Sequence, residues 1–256
     1  MTKIILIILA FYSFPIFSQN AAQLDEMWKK AIRDSSKFSA LKQERPLFSI
    51  GPTNMRLVLK CKKEWGCEGG TKDWFKNKQF KRGIRVAVLT WINNKYNDYD
   101  PYVENKKLYY TGSRPIWVTA VPEIKLFCTG LGDLKKTKLR LEQFKGLPYN
   151  GSKDEFVTMW VEPRRLFRPC PDPEIYDAKC GITFPENTSA IHKNWINQQA
   201  EKSFPSLGQG YPWTRRGFAY DWGEKNYQGA SEYIISPGSS IYIESIERTE
   251  TYCQVK

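Results

Sequence analysis

Apolar and polar positions along this chain follow two periods, and the switches between them mark its elements. Leu24, Met27, Trp28, Ile32, Phe38 and Leu41 recur at helical spacing within a polar stretch, predicting a helix between residues 21 and 44. Met55–Leu59, Ile84–Ile92 and Ile116–Val121 are β-branched or aromatic runs bounded by Gly, Pro or charge, and read as strands. Pro122 suits the first turn of a helix through Phe127, and Leu139, Leu141 and Phe144 predict a second short helix ending at Gly146. Phe156–Val161 reads as a strand. The stretch Pro163–Pro185 holds five prolines and two cysteines, so an ordered, stapled loop is expected there. Ser189 is a natural N-cap for a helix whose apolar face is Ile191, Trp195, Ile196, Ala200 and Phe204. The tail reads as β: Phe218–Trp222, Ser231–Ser236, a Pro237-Gly238 turn, and Ser240–Ile246 with an extension toward Cys253. In that last strand Ile241, Ile243 and Ser245 share one face, and Tyr242, Glu244 and Ile246 the other.

These elements predict an α+β fold: a mixed or antiparallel β-sheet with a few packed helices, stapled by disulfides. Residues 1–18 carry one early lysine, an apolar run from Ile4 to Phe11 and a Pro15 break, the marks of a secretory signal peptide with cleavage after Ser18 or Gln19. That run is too short to span a bilayer. Residues 19–50 form an N-terminal helical segment and 51–256 a single α+β domain. All six cysteines (Cys61, Cys67, Cys128, Cys170, Cys180 and Cys253) follow the leader, and an even count in an exported chain implies disulfides. Local pairing favours Cys61 with Cys67 and Cys170 with Cys180, leaving Cys128 for Cys253. The address is therefore secreted or periplasmic. Asn150-Gly151-Ser152 and Asn187-Thr188-Ser189 match a glycosylation sequon, which matters only in a eukaryotic source.

Composition narrows the chemistry. With one histidine, His192, the chain cannot supply a two- or three-His zinc site or a His pair for acid–base work. No metal and no cofactor is expected. Asp172, Glu174, Asp177 and Glu186 lack EF-hand spacing and read as surface loop. The formal net charge is +12 and unevenly spread: nine Lys/Arg oppose three acids between residues 60 and 85, interleaved with Trp65, Trp74, Phe75 and Phe80. Lys72, Lys76, Lys78, Lys81 and Arg82 are the candidate basic face, suited to an anionic surface or glycan; an exported protein meets these rather than nucleic acid. A solvated surface is the plainer reading of the same run.

The densest constellation runs from Gly210 to Ile235. Trp213, Tyr220 and Trp222 can wall a cleft, Arg215 or Arg216 can grip an anionic or sugar group, and Asp221 with Glu232 can supply an acid and a base without histidine, as in glycoside hydrolysis. The competing structural reading packs Trp213, Phe218, Tyr220 and Trp222 into a sheet and makes Asp221 and Arg215 an ion pair. His192, on a helix shoulder, reads as a hydrogen-bonded or solvated side chain.

Five segments (Pro122–Lys125, Arg140–Gln143, Leu166–Glu174, Tyr211–Arg215 and Ser231–Ile235) are similar to motifs of an uncharacterised family of exported Gram-negative bacterial proteins, with the Tyr-Pro-Trp-Thr-Arg and Ser-Glu-Tyr-x-Ile pair the most specific. The resemblance covers roughly residues 80–253 and implies export and an environment- or host-facing role; it brings no activity. Separately, Glu232–Ile243 resembles the strand–turn–strand around the catalytic glutamate of ADP-ribosyltransferases, which implies a ribose-orienting Glu232. Ala230 departs from the Glu or Gln of that pattern, and no Ser-Thr-Ser run is present. The function expected from sequence is thus a secreted binding factor for an anionic or glycan surface, ahead of an enzyme. The alternative is a histidine-independent hydrolase or transferase using Asp221 and Glu232, glycosidase-like or ADP-ribosyltransferase-like.

Overall fold

The computed structural model describes residues 20–37, 41–96, 98–104, 108–131, 134–206 and 209–254. The expected signal peptide, and Phe38 of the expected first helix, lie outside the described residues. In chain order the elements are α1 (Ala21–Ser36), β1 (Leu59–Cys61), β2 (Phe75–Lys76), β3 (Gln79–Phe80), β4 (Ile84–Ile92), α2 (Asp100–Glu104), β5 (Leu108–Tyr110) and β6 (Ile116–Ala120). The second half adds α3 (Glu123–Thr129), α4 (Leu134–Phe144), β7 (Glu155–Val161), β8 (Leu166–Phe167), α5 (Ala190–Ser203), β9 (Phe218–Tyr220), β10 (Gln228–Ser231), β11 (Tyr233–Ile235), β12 (Ser240–Arg248) and α6 (Thr249–Tyr252). The α+β class is as expected, and the sheets are antiparallel.

The main sheet has eight strands in the order β5-β12-β7-β4-β6-β11-β8, with β1 also paired to β4. Its centre is buried on both faces, which is why Ile84–Ile92 is almost continuously apolar instead of alternating. Val86, Val88, Val157, Met159, Tyr233 and Ile235 fill one face. Leu89, Trp91 and Phe156 fill the other, beneath Ile124, Leu141 and Tyr252 of α3, α4 and α6. Helix α1 starts with a reciprocal cap: Asn20 accepts from the Gln23 amide at 2.9 Å and Gln23 accepts from the Asn20 amide at 3.0 Å. It packs Ala31 with Tyr220 and Trp222, and the strap after it bonds Arg45 to Gln228 and Phe48 to Ser231, so the N-terminal segment is built onto the sheet layer.

Three disulfides join Cys61–Cys67, Cys128–Cys253 and Cys170–Cys180, as local pairing predicts, with Cα separations of 5.3, 5.3 and 6.6 Å. They fit an oxidising, extracytoplasmic compartment. No described helix is long and apolar enough to cross a membrane.

Several strand expectations are corrected. Residues 52–53 and 55–56 form turns, tied by Asn54 and Leu57 amides to Gly51 and Asn54 carbonyls, so the strand begins only at Leu59. Phe218–Trp222 is a strand only to Tyr220. The expected run from Ser231 to Ser236 is split between two sheets: Ser231 ends β10, Tyr233 begins β11, and the Glu232 amide turns aside to donate to the Gly217 carbonyl at 2.9 Å. A bulge between Ile243 and Ser245 reverses the side-chain parity of β12, so Ile246 packs with Ile241 and Ile243 instead of with Tyr242. The strand extends past Ile246 only to Arg248, and the rest of the way toward Cys253 is helix.

Candidate functional site

The strand switch at Glu232 opens onto a cleft of about 550 Å³ lined by β6, the ends of α4 and α5, and the Tyr211–Tyr220 segment. Trp117, Tyr211, Trp213 and Tyr220 supply aromatic wall, while Arg114, Lys145, Lys153 and Lys202 supply cations. Glu232 is the one carboxylate among the described residues lining it. Trp213 meets Trp117 edge-on at 6.2 Å and Trp195 at 6.0 Å, which fixes its indole, yet its buried Nε1 has no hydrogen-bond partner.

Lys145 reaches the floor because α4 stops there. Gly146 follows with φ +60°, and a Cβ at that position would lie 3.3 Å from the Tyr220 backbone, so glycine lets the helix end close against β9. The Lys145 ammonium donates to the Thr119 hydroxyl at 3.2 Å. Burial pulls Lys145 down to about 8, against the raising influence of Glu232 and Glu123. Burial pushes Glu232 up to about 8, with Lys145 opposing and Glu123 reinforcing. The Glu232 Oε2 atom is buried and has no hydrogen-bond partner among the described residues. Glu123, pushed up to about 7 by burial, accepts from the Ser231 amide at 3.0 Å and from its hydroxyl at 3.1 Å, anchoring the residue next to Glu232.

Of the residues expected to form a site, Trp213, Tyr220 and Glu232 line this cleft. Tyr220 is oriented by donating to Asp34 at 3.0 Å. Trp222 packs instead on Trp28 and Tyr149, its Nε1 donating to the Leu147 carbonyl at 3.0 Å. Arg215 does not pair with Asp221: its guanidinium donates to the Ser35 and Ser36 carbonyls at the end of α1, at 3.2 and 2.9 Å. That is a helix C-terminal cap, not a ligand grip. Arg216 is half-buried, and its amide is held by Thr214. Asp221 is buried in a two-pronged pair with Arg140, at 2.9 and 2.7 Å, and lines a second hollow with Arg140 and Glu224. The structure therefore does not bring Asp221 and Glu232 into one cleft.

His192 donates from Nε2 to the Cys170 carbonyl at 2.8 Å, and burial lowers its pKa below the ordinary value; it anchors α5 to the stapled loop. Glu174 and Asp177 face Arg168 at 3.3 and 3.2 Å, and Asp172 accepts from the Glu174 amide. Among the described residues no group of three or more His, Cys, Asp or Glu side chains is placed to hold a metal ion. Lys72, Lys76, Lys78 and Arg82 are exposed around the β2–β3 hairpin, while Lys81 folds back to the Gly70 carbonyl. Sequence reasoning missed Lys145, Thr119 and Trp117. The signal for Lys145 was its place just before a helix-ending glycine.

Burial gives stability a definite pH sign. Glu123, Glu142 and Glu174 are raised to about 7 and Glu232 to about 8, so each stays protonated in the fold after its unfolded counterpart, near 4.5, has ionised. Their contribution is intact in acid and lost as pH rises from about 5 through 8. His192 acts oppositely, below its ordinary value of 6.5, and is outnumbered. The melting temperature will fall by several degrees between about pH 5.5 and pH 8.5, at about 2–4 °C per kcal/mol. Glu142→Gln will flatten that slope. A melting temperature that climbs across this range would show that these carboxyls ionise normally.

Comparison with family models, with curated proteins and with solved structures finds no match to this chain.

Proposed function

We propose that this is an exported factor that binds a stretch of anionic glycan in the aromatic cleft. The observation that carries the reading is the lining itself: Lys145, Lys153 and Lys202, with Arg114 tied at 3.0 Å to Asp98, against the one carboxyl among its described residues, Glu232, between indole and phenol walls. Apolar faces of sugar rings stack on aromatic side chains, and the cations select acidic substituents and speed encounter. The apolar leader and the three disulfides support a secreted or periplasmic address. The hairpin cations Lys72, Lys76, Lys78 and Arg82 offer a second, outer contact for a long polyanion.

Titration of tryptophan fluorescence with a short polygalacturonate oligomer and with uncharged dextran tests this. The acidic oligomer will bind with an affinity that falls as salt rises, and dextran will not. Lys153→Glu with Lys202→Glu will weaken the oligomer at least tenfold, whereas reversing the hairpin charges will weaken only the long polymer. Equal binding of dextran, or binding insensitive to salt, would sink the proposal.

A further inference from the structure

We infer that Lys145 and Glu232 form a catalytic acid–base couple that cleaves uronate-containing chains by β-elimination. The inference rests on the anionic-glycan reading of the cleft and names its substrate class. Hydrolysis of a glycosidic bond by the usual route needs two carboxyls flanking it, and this cleft presents one. What it does present is an amine and a carboxyl, just past the end of α4 and at the β10–β11 switch, that line the same cleft. The ammonium is held by Thr119, and one Glu232 oxygen is buried with no protein partner. A buried polar atom left unpaired costs stability, and such atoms cluster where a ligand or a reacting group completes the bond. When Glu232 is protonated, its hydroxyl therefore has a ligand oxygen as its natural acceptor.

An amine and an acid placed across a bound chain suit removal of a proton α to a carboxylate. Neutral Lys145 takes the proton from C5 of a uronate residue. The electron pair of that C–H bond forms the C4=C5 double bond, and the C4–O bond breaks with its pair passing to the glycosidic oxygen. That oxygen takes the proton of Glu232. The products are one chain ending in a 4,5-unsaturated uronate and another ending in a free hemiacetal, and no water is consumed. The couple is left as ammonium and carboxylate, and transfer of one proton between them restores the starting form. Lys153 and Lys202, on the same cleft, are placed to neutralise the uronate carboxylate and so acidify C5–H. Burial supports the assignment by drawing Lys145 down and Glu232 up toward the same pH, about 8, where neutral amine and neutral acid lie close in energy to the ion pair. The charged groups acting on the couple are Glu123 and Lys153.

Polygalacturonate, alginate and hyaluronate, with dextran as control, are the probes. The readouts are near-ultraviolet absorbance of the new alkene, new reducing ends, and binding of the same polymers. At least one polyuronate will develop alkene and reducing ends in equal number. Lys145→Met and Glu232→Gln will each lower that rate about 100-fold or more, a loss far larger than any accompanying loss of binding, and the melting curve stays cooperative. Should either variant fail to fold, Thr119→Val, which removes the hydroxyl accepting from the Lys145 ammonium, will shift the pH optimum of alkene formation from that of the wild type, and an unchanged optimum overturns the inference. Binding of polyuronates without alkene, or reducing ends without alkene, overturns the inference and leaves the binding reading standing. Absence of any polyuronate binding overturns both.

Discussion

Replacing Arg168 by methionine will lower the unfolding free energy by about 3–5 kcal/mol, the loss typical when one partner of a buried charged network is removed. Arg168 is fully buried. Its guanidinium donates to the Lys179 carbonyl at 2.6 Å and the Asp177 carbonyl at 2.5 Å, and reaches the Glu174 and Asp177 carboxylates at 3.3 and 3.2 Å. Methionine fills much of the volume but takes the guanidinium donors from those carbonyls and leaves the Glu174 carboxyl only the Tyr176 and Asp177 amides. Gly217 shows how closely the chain is fitted around the side chain: at φ +73°, a Cβ there would lie 2.6 Å from Arg168 Cδ. Since Gly217 also accepts from the Glu232 amide, loss of Arg168 will disturb the cleft as well as the stapled loop. Urea denaturation of Arg168→Met beside Glu186→Ala, an exposed change in the same region, is the measurement. A loss below about 1 kcal/mol would show the network to be replaceable.

Removing the Cys128–Cys253 bridge, as Cys128→Ala with Cys253→Ala, will cost about 5 kcal/mol in the chain-entropy account. Its partners are 125 residues apart, whereas those of the other bridges are 6 and 10 apart. The shorter loops correspond to about 2–3 kcal/mol each on the same scale. The long bridge also ties α3 to the chain end, where Lys125 donates to the Tyr252 and Gln254 carbonyls and Tyr252 packs on Phe156. Its loss frees that corner from the sheet while leaving the Lys145–Glu232 end of the cleft in place. Denaturant midpoints of the three double-alanine variants will rank the long bridge first. If the Cys61–Cys67 variant loses as much, the entropic account does not describe this chain.

What the sequence determined by itself was local: the helix over Ser189, the apolar run of β4, the stapled Pro-rich loop and, by cysteine spacing, the three bridges. Those features depend on neighbours a few residues apart, and propensity, capping and loop closure act over that range. That Trp213, Tyr220 and Glu232 would be worth locating was also legible, because aromatics and carboxyls crowded into one segment stand out, and they line one cleft. Their partners were not. Asp221 found Arg140, 81 residues away, in place of nearby Arg215. The parity of β12 turned on one bulge, and a single extra residue in a strand moves every later side chain to the opposite face. Only the tertiary structure brought Lys145, at the end of α4, beside Glu232 at the junction of two sheets. Helix ends and strand switches are positioned by packing, so which charges share a low-dielectric cleft is decided by the assembled layers and not by the order of residues along the chain.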